Sequence, residues 1–295
     1  MLTGCVAFQD KLFDSYTSIR CCFAGLQEKR ISTKTYDWAY LEGGEPGQPV
    51  MVILHGATSD KYSGIDFAGE LDGYHVLLPD LPGYGDTGGF DPAQSYSIQK
   101  QSERLSDFLN ALNLTEVHLL GVSMGGAVSA HYASTHPERI RKLILFAAGW
   151  PSSPEPSEAQ KLLMKGDNIF IVTNQDEFNR LFDLAFEEPP FLPWPSSNVL
   201  TRKAIKQTAF FEKVFADNAP SPDTDKRIIS LLSQIEAPTL IVWGDHDRFS
   251  HVSGASVLNK AIPDSKVVIL ENVGHVATIE VPEAVAKLAM DFLAE

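Results

Sequence analysis

The stretch from Gly121 to Gly126, which reads Gly-Val-Ser-Met-Gly-Gly, decides the fold of this chain. The apolar run 116–120 before it predicts a buried strand, and the small-residue run 126–133 after it predicts the start of a helix. A serine in so sharp a turn has a strained backbone, and glycines beside it leave room for the neighbouring strand and helix. The pattern predicts that Ser123 is presented as a nucleophile, although the pentapeptide alone also fits an ordinary glycine-rich turn.

Two later positions supply the partners that a serine nucleophile needs. A serine hydroxyl is too weakly acidic to attack an ester at neutral pH, so it requires an imidazole as base and a carboxylate that holds the imidazole in the right tautomer. The apolar strand 237–243 leads into the run Gly-Asp-His-Asp at 244–247, and the strand 265–270 leads to His275. The order serine, aspartate, histidine, with each residue just past a strand, is typical of α/β-hydrolases.

The chain resembles the α/β-hydrolase superfamily along nearly its whole length. In that family the acid lies three residues after the glycine that closes its strand, and this selects Asp247 over Asp245. The family's other position for the acid, after strand 142–146, holds only alanine and glycine here. The resemblance therefore implies that Ser123, Asp247 and His275 are the catalytic residues.

A buried strand is predicted at 50–57, and its ending, His55-Gly56-Ala57, resembles the family's oxyanion loop. A tetrahedral intermediate carries a negative charge on oxygen, so two backbone N–H groups must point at that oxygen before the reaction begins. By position, the resemblance implies the amides of Met124 and Ala57. His55 is expected to brace the loop and not to act as a base.

Alternating strand and helix patterns predict an α/β fold with a mostly parallel, eight-stranded sheet and helices on both faces. Early strands are predicted at 29–36 and 37–42, a further strand at 74–79, and a long helix from about 96 to 112. The predicted division of the chain is an N-terminal amphipathic helix at 1–27, a hydrolase core at 28–149 and 222–295, and an inserted helical cap at 150–221.

The cap is predicted because about ninety residues separate Phe146 from Thr239, far more than one crossover helix requires. The insertion is dense in aromatic residues, which would line an acyl pocket if the cap folds over the serine, although a small core of the cap's own accounts for part of them. Prolines stiffen the segment 188–194 into an extended shape suited to a pocket wall. The predicted pocket residues are His55, Trp150, Phe186, Phe191, Trp194 and Val276.

The cap segments 186–193 and 210–215, together with 24–26 and 40–44, resemble bacterial lipases and esterases related to the monoacylglycerol lipases. The resemblance implies a serine carboxylic-ester hydrolase that acts on neutral acyl esters, such as p-nitrophenyl esters or monoacylglycerols, through an acyl-enzyme intermediate. One alternative is a carbon–carbon bond hydrolase or a perhydrolase with the same triad, and another is a non-catalytic receptor that kept the fold. A haloalkane dehalogenase or epoxide hydrolase is disfavoured, because both need a carboxylate in place of Ser123.

Charge and composition limit the partners. A formal net charge of −14 opposes binding to nucleic acid or anionic lipid, and it suits neutral substrates, although acidity also serves solubility. Gly83, Gly85 and Gly88 have the spacing of a dinucleotide motif, but Pro92 stands where that motif needs a helix. No cofactor and no metal site is therefore predicted.

The N-terminal residues have apolar side chains at near-helical spacing, which predicts an amphipathic helix on the domain or on a membrane surface. No apolar run is long enough to span a bilayer. The chain as given is expected to be soluble and cytoplasmic. However, residues 2–5 resemble a lipoprotein cleavage box, so a start truncated before Cys5 would indicate a bacterial lipoprotein lipidated at that cysteine.

Overall fold

The computed structural model describes residues 2–149, 153–219 and 222–295. Within these residues, eight strands form one sheet. The strands are β1 (Gln27–Ser32), β2 (Asp37–Gly43), β3 (Val50–Leu54), β4 (His75–Pro79), β5 (Val117–Val122), β6 (Ile140–Phe146), β7 (Thr239–Gly244) and β8 (Ser265–Leu270). Their order across the sheet is β1-β2-β4-β3-β5-β6-β7-β8. The predicted α/β-hydrolase sheet is confirmed.

The sheet is parallel from β4 to β8, and β2 runs antiparallel to both β1 and β4. β5 is central and buried along its whole length, as expected for a strand covered by helices on both faces. The carboxyl ends of parallel strands meet at one edge of a sheet, where ligands bind in open α/β folds. Because His55, Ser123, Asp247 and His275 each follow the end of a parallel strand, the topology brings their loops to this one edge.

The helices are α1 (Leu2–Phe23), α2 (Ile65–Gly69), α3 (Ile98–Ala111), α4 (Met124–Thr135), α5 (Glu158–Met164), α6 (Gln175–Ala185), α7 (Ser196–Lys206), α8 (Thr208–Asp217), α9 (Pro222–Leu232), α10 (Ser253–Ala261), α11 (Ala277–Glu280) and α12 (Pro282–Ala294). One apolar core packs α3, α4, α9 and α10 against the first face of the sheet, and a second packs α2 and α12 against the other. Helices α5 to α9 lie between β6 and β7, and α5 to α8 fall within the insertion predicted at 150–221.

The prediction for the first strand is wrong at its C-terminal end. The strand predicted at 29–36 stops at Ser32, because residues 33–36 form the turn that reverses the chain into β2. In this turn the Thr33 amide donates to the Tyr36 carbonyl at 2.8 Å, and the Thr33 hydroxyl accepts from the Tyr36 amide at 3.1 Å. Threonine favours strands on average, but here its hydroxyl stabilises the turn of the hairpin instead.

Helix α1 lies against α2 and α7. Arg20 forms an ion pair with Asp66 of α2 at 2.7 Å, and Arg202 of α7 donates to Gln9 at 2.7 Å and pairs with Asp10. None of the helices described here combines the length and the apolar character that crossing a membrane requires.

Candidate active site

Ser123 occupies the strained turn between β5 and α4. Its backbone has φ 54° and ψ −117°, a region that side-chain-bearing residues rarely adopt. The flanking glycines are required by close packing: a Cβ on Gly121 would lie 2.2 Å from the Gly125 carbonyl oxygen, and a Cβ on Gly125 would lie 2.4 Å from the Leu54 carbonyl oxygen. The turn leaves the Ser123 side chain half-buried and facing a cavity.

Asp247 and His275 form a buried pair at the ends of β7 and β8. One carboxylate oxygen of Asp247, Oδ2, lies 2.8 Å from Nδ1 of His275. The other, Oδ1, accepts from the amides of Phe249 and Ser250, both at 2.8 Å. An ionised carboxylate only accepts hydrogen bonds, so His275 carries its proton on Nδ1 and keeps Nε2 available to take a proton. Asp245, the rejected candidate, has an exposed side chain.

The loop after β3 is held by its own histidine. Nε2 of His55 accepts from the Leu81 amide at 3.1 Å, so Nδ1 carries the proton and donates to the Gly56 carbonyl at 2.8 Å. Burial lowers the pKa of His55, and the nearby Asp80 carboxylate offsets only part of this effect. A neutral imidazole with both nitrogens engaged can brace the loop but cannot serve as a base.

The two predicted oxyanion donors, the amides of Met124 and Ala57, belong to different segments of the chain. Met124 is the first residue of α4, so its amide is among the N–H groups that a helix start leaves free for an anion. Ala57 lines the same cavity as Ser123 and His275. The arrangement places one candidate donor on the helix and the other on the braced loop.

Ser123 and His275 open on a cavity of about 650 Å³. Of the predicted pocket residues, His55, Phe186, Phe191 and Val276 line this cavity. Trp194 is not among the described residues that line it, and its side chain is 64% exposed. Trp150 lies outside the described residues. The cavity is therefore built by the core loops together with the insertion.

Several cavity residues are missing from the sequence-based prediction. The insertion also contributes Phe182, Leu200 and Phe211, and helix α1 contributes Phe13 and Tyr16. The density of aromatic residues in the insertion indicates a pocket, but their spacing in the sequence does not show which face of each helix points towards Ser123. The contribution of α1 has no local signal, because it depends on how the N-terminal helix docks.

The part of the chain that the structure describes contains no group of three or more His, Cys, Asp or Glu side chains arranged to hold a metal ion. Asp245, His246 and Asp247 follow β7 directly, but their side chains do not point to a common centre that could bind a metal ion. Asp247 points inward to His275, whereas Asp245 and His246 are exposed.

A family model described as the alpha/beta hydrolase fold matches residues 49–282, and the chain belongs to this family. Lipase 1 of Psychrobacter immobilis is 30% identical over 243 residues, 82% of this chain and 75% of the lipase. Monoacylglycerol lipase ABHD6 of Rattus norvegicus is 30% identical over 284 residues, 92% of this chain and 83% of that protein. The crystal structure of a bacterial membrane phospholipase A superposes with a TM-score of 0.92 at 34% identity and covers 99% of this chain and 95% of its own. The predicted resemblance to lipases and esterases is confirmed.

Proposed function

We propose that this protein hydrolyses neutral carboxylic esters with Ser123 as nucleophile, His275 as base and Asp247 as its acid partner. The observation that carries the proposal is the common cavity onto which the strained serine and the aspartate-bound histidine open. Lipase relatives support the same reaction class. The amides of Met124 and Ala57 are the proposed oxyanion donors.

In the proposed mechanism, Oγ of Ser123 attacks the acyl carbonyl carbon while Nε2 of His275 takes the hydroxyl proton. The oxyanion that forms accepts hydrogen bonds from the two amides, and Asp247 stabilises the imidazolium. The intermediate collapses with release of the alcohol, which receives its proton from His275. Water, deprotonated by the same imidazole, then attacks the acyl-enzyme and releases the carboxylic acid.

The cavity favours substrates with an apolar acyl chain. Its volume falls within the range of small-molecule pockets, and phenylalanines from α6 and α8 form part of its wall. The net charge of −14 favours neutral esters over anionic ones. Monoacylglycerols fit this description, and glycerophospholipids are a second class because one similar structure is that of a phospholipase A.

The test combines a covalent probe with a substrate series. We expect a fluorophosphonate to label Ser123, and we expect kcat/KM for p-nitrophenyl esters to rise from acetate towards medium and long acyl chains that fill the cavity. Monoacylglycerols and phosphatidylcholine are assayed beside them. Absence of labelling in the wild type would favour a non-catalytic receptor, and faster turnover of a dienoate ring-cleavage product than of any ester would favour a carbon–carbon bond hydrolase.

Contact between α1 and a membrane surface is a separate proposal. At about 100° per residue, Phe8, Leu12, Ile19 and Phe23 share one face of the helix. The side chains of Phe8, Ile19 and Phe23 are 56%, 54% and 90% exposed. Phe13, which lines the cavity, lies on another face of the helix, and Tyr16, which also lines the cavity, lies at the edge of the exposed apolar face. An apolar face of this kind is typical of helices that lie in the membrane interface.

Flotation with neutral phosphatidylcholine vesicles tests this contact. Wild-type protein is expected to float with the vesicles, and combined substitution of Phe8, Ile19 and Phe23 by serine is expected to leave it in solution. Met164→Ser removes an apolar side chain that is 80% exposed in the insertion and serves as the control. If the triple variant floats like wild type and Cys5→Ser does not, a lipid on Cys5 makes the contact instead.

A further inference from the structure

The insertion segment 185–188 is hydrogen-bonded to the two loops that carry the proposed acid and base and to α11, which follows the loop of the base. The backbone amide of His275 donates to the Ala185 carbonyl at 2.9 Å. The guanidinium of Arg248, the residue after Asp247, donates to the Phe186 carbonyl at 2.7 Å. The insertion therefore contacts the catalytic loops through backbone groups and not only through apolar side chains.

The carboxylate of Glu280 connects both sides of this contact. Its Oε2 accepts from the Gly274 amide at 3.0 Å and from the Glu187 amide at 3.3 Å, and its Oε1 accepts from the Glu188 amide at 3.0 Å. Hydrogen bonds to an ionised carboxylate are stronger than those between neutral groups. One side chain on α11 thus binds both the residue before His275 and the edge of the insertion.

Close backbone packing makes the contact stiff. A Cβ on Gly274 would lie 2.7 Å from the Glu187 nitrogen and 2.8 Å from Phe186 backbone atoms, so only glycine fits between the two segments. Close-packed segments of this kind shift together because there is no free space between them. Phe186 itself is 4% exposed and lines the cavity.

We propose that Glu280 is a positioning residue that couples the cavity wall at Phe186 to the His275 loop, so that an acyl chain packed on Phe186 holds the imidazole in place. The inference rests on the proposed function. It assigns no contact between Glu280 and the substrate. Because Glu280 acts through both segments, its loss disturbs the base through Gly274 and the long-chain pocket through Glu187 and Glu188.

Kinetics of Glu280→Ala and Glu280→Gln with a short and a long ester test the coupling. For Glu280→Ala we expect kcat on p-nitrophenyl acetate to fall at least about tenfold, the effect of losing hydrogen bonds to a charged group. We expect KM for p-nitrophenyl acetate to stay near the wild-type value, because a two-carbon acyl group offers little surface to the wall at Phe186, whereas KM for p-nitrophenyl decanoate is expected to rise several-fold. Glu280→Gln keeps one accepting oxygen and is expected to lie between wild type and Glu280→Ala.

Glu283→Gln is the matched control, because it removes a carboxylate from an exposed position three residues further along. All variants are compared well below their melting temperatures. Unchanged kcat and KM in Glu280→Ala would overturn the proposal even if its melting temperature falls, and so would a lower kcat without a rise in the decanoate KM. If Glu280→Ala does not fold, Glu280→Gln decides by the same two criteria. Failure of the proposed ester hydrolysis itself would appear separately, as absent labelling of the wild type.

Discussion

Replacement of Ser123 by alanine is expected to lower kcat for ester hydrolysis by on the order of a millionfold, if the triad acts as a unit. Alanine lacks the oxygen that forms the acyl-enzyme, so His275 has no hydroxyl to deprotonate and only direct attack by water remains. The oxyanion donors and the cavity stay in place and retain substrate binding. The measurement is single-turnover and steady-state hydrolysis of the best p-nitrophenyl ester in the series.

The fold should tolerate this change. Serine and alanine both carry a Cβ, so the strain of the positive φ, 54° at Ser123, is similar for the two residues. The hydrogen bond from the backbone amide at position 123 to the Phe146 carbonyl, 2.8 Å in the wild type, does not involve the side chain and is expected to remain. The melting temperature is therefore expected to stay near that of the wild type. Ser256→Ala, on the exposed side of α10, controls for loss of a hydroxyl elsewhere. Retained esterase activity in purified Ser123→Ala would rule out Ser123 as the nucleophile.

The sheet and the turn at Ser123 could be predicted because their signals are local. The apolar runs that became β3, β5 and β7 stand out in the sequence, and glycines at 121 and 125 mark a sharp turn in which side chains would collide with backbone. The resemblance to α/β-hydrolases selected Asp247 over Asp245, because in that family the acid lies three residues after the glycine that closes the strand. The structure places Asp247 at 2.8 Å from His275, although the two lie 28 residues apart in the chain.

The cavity wall could not be predicted residue by residue because it depends on contacts between distant segments. Trp194 is aromatic and lies in the proline-rich segment expected to form a pocket wall, yet it is exposed. Phe13, by contrast, lines the cavity although it belongs to the N-terminal helix α1. Glu280 looks like an ordinary carboxylate on a short helix until Gly274, Glu187 and Glu188 are brought to it. The aromatic composition of the insertion indicates that a pocket exists, but which residues line it is determined by tertiary packing.

Asp247→Asn is expected to lower kcat by roughly ten-thousandfold through the wrong histidine tautomer. Oδ1 of Asp247 accepts from two backbone amides, so the asparagine oxygen is expected to take that position and turn its NH₂ group towards His275. An NH₂ donor requires Nδ1 of His275 to accept, which moves the imidazole proton to Nε2. An imidazole protonated on Nε2 cannot take the proton of Ser123.

The neighbouring aspartate provides the control for this change. Asp245→Asn removes the same charge two residues away, but its side chain is exposed, so kcat should stay within about twofold of wild type because exposed charges interact weakly. The same two variants are assayed for the rate of fluorophosphonate labelling, which needs the same base. Equal losses in both variants would mean that negative charge in the loop, and not the tautomer of His275, limits the reaction. A large loss confined to Asp247→Asn would show that the reaction requires the buried carboxylate that reaches Nδ1 of His275, and not the exposed charge two residues earlier.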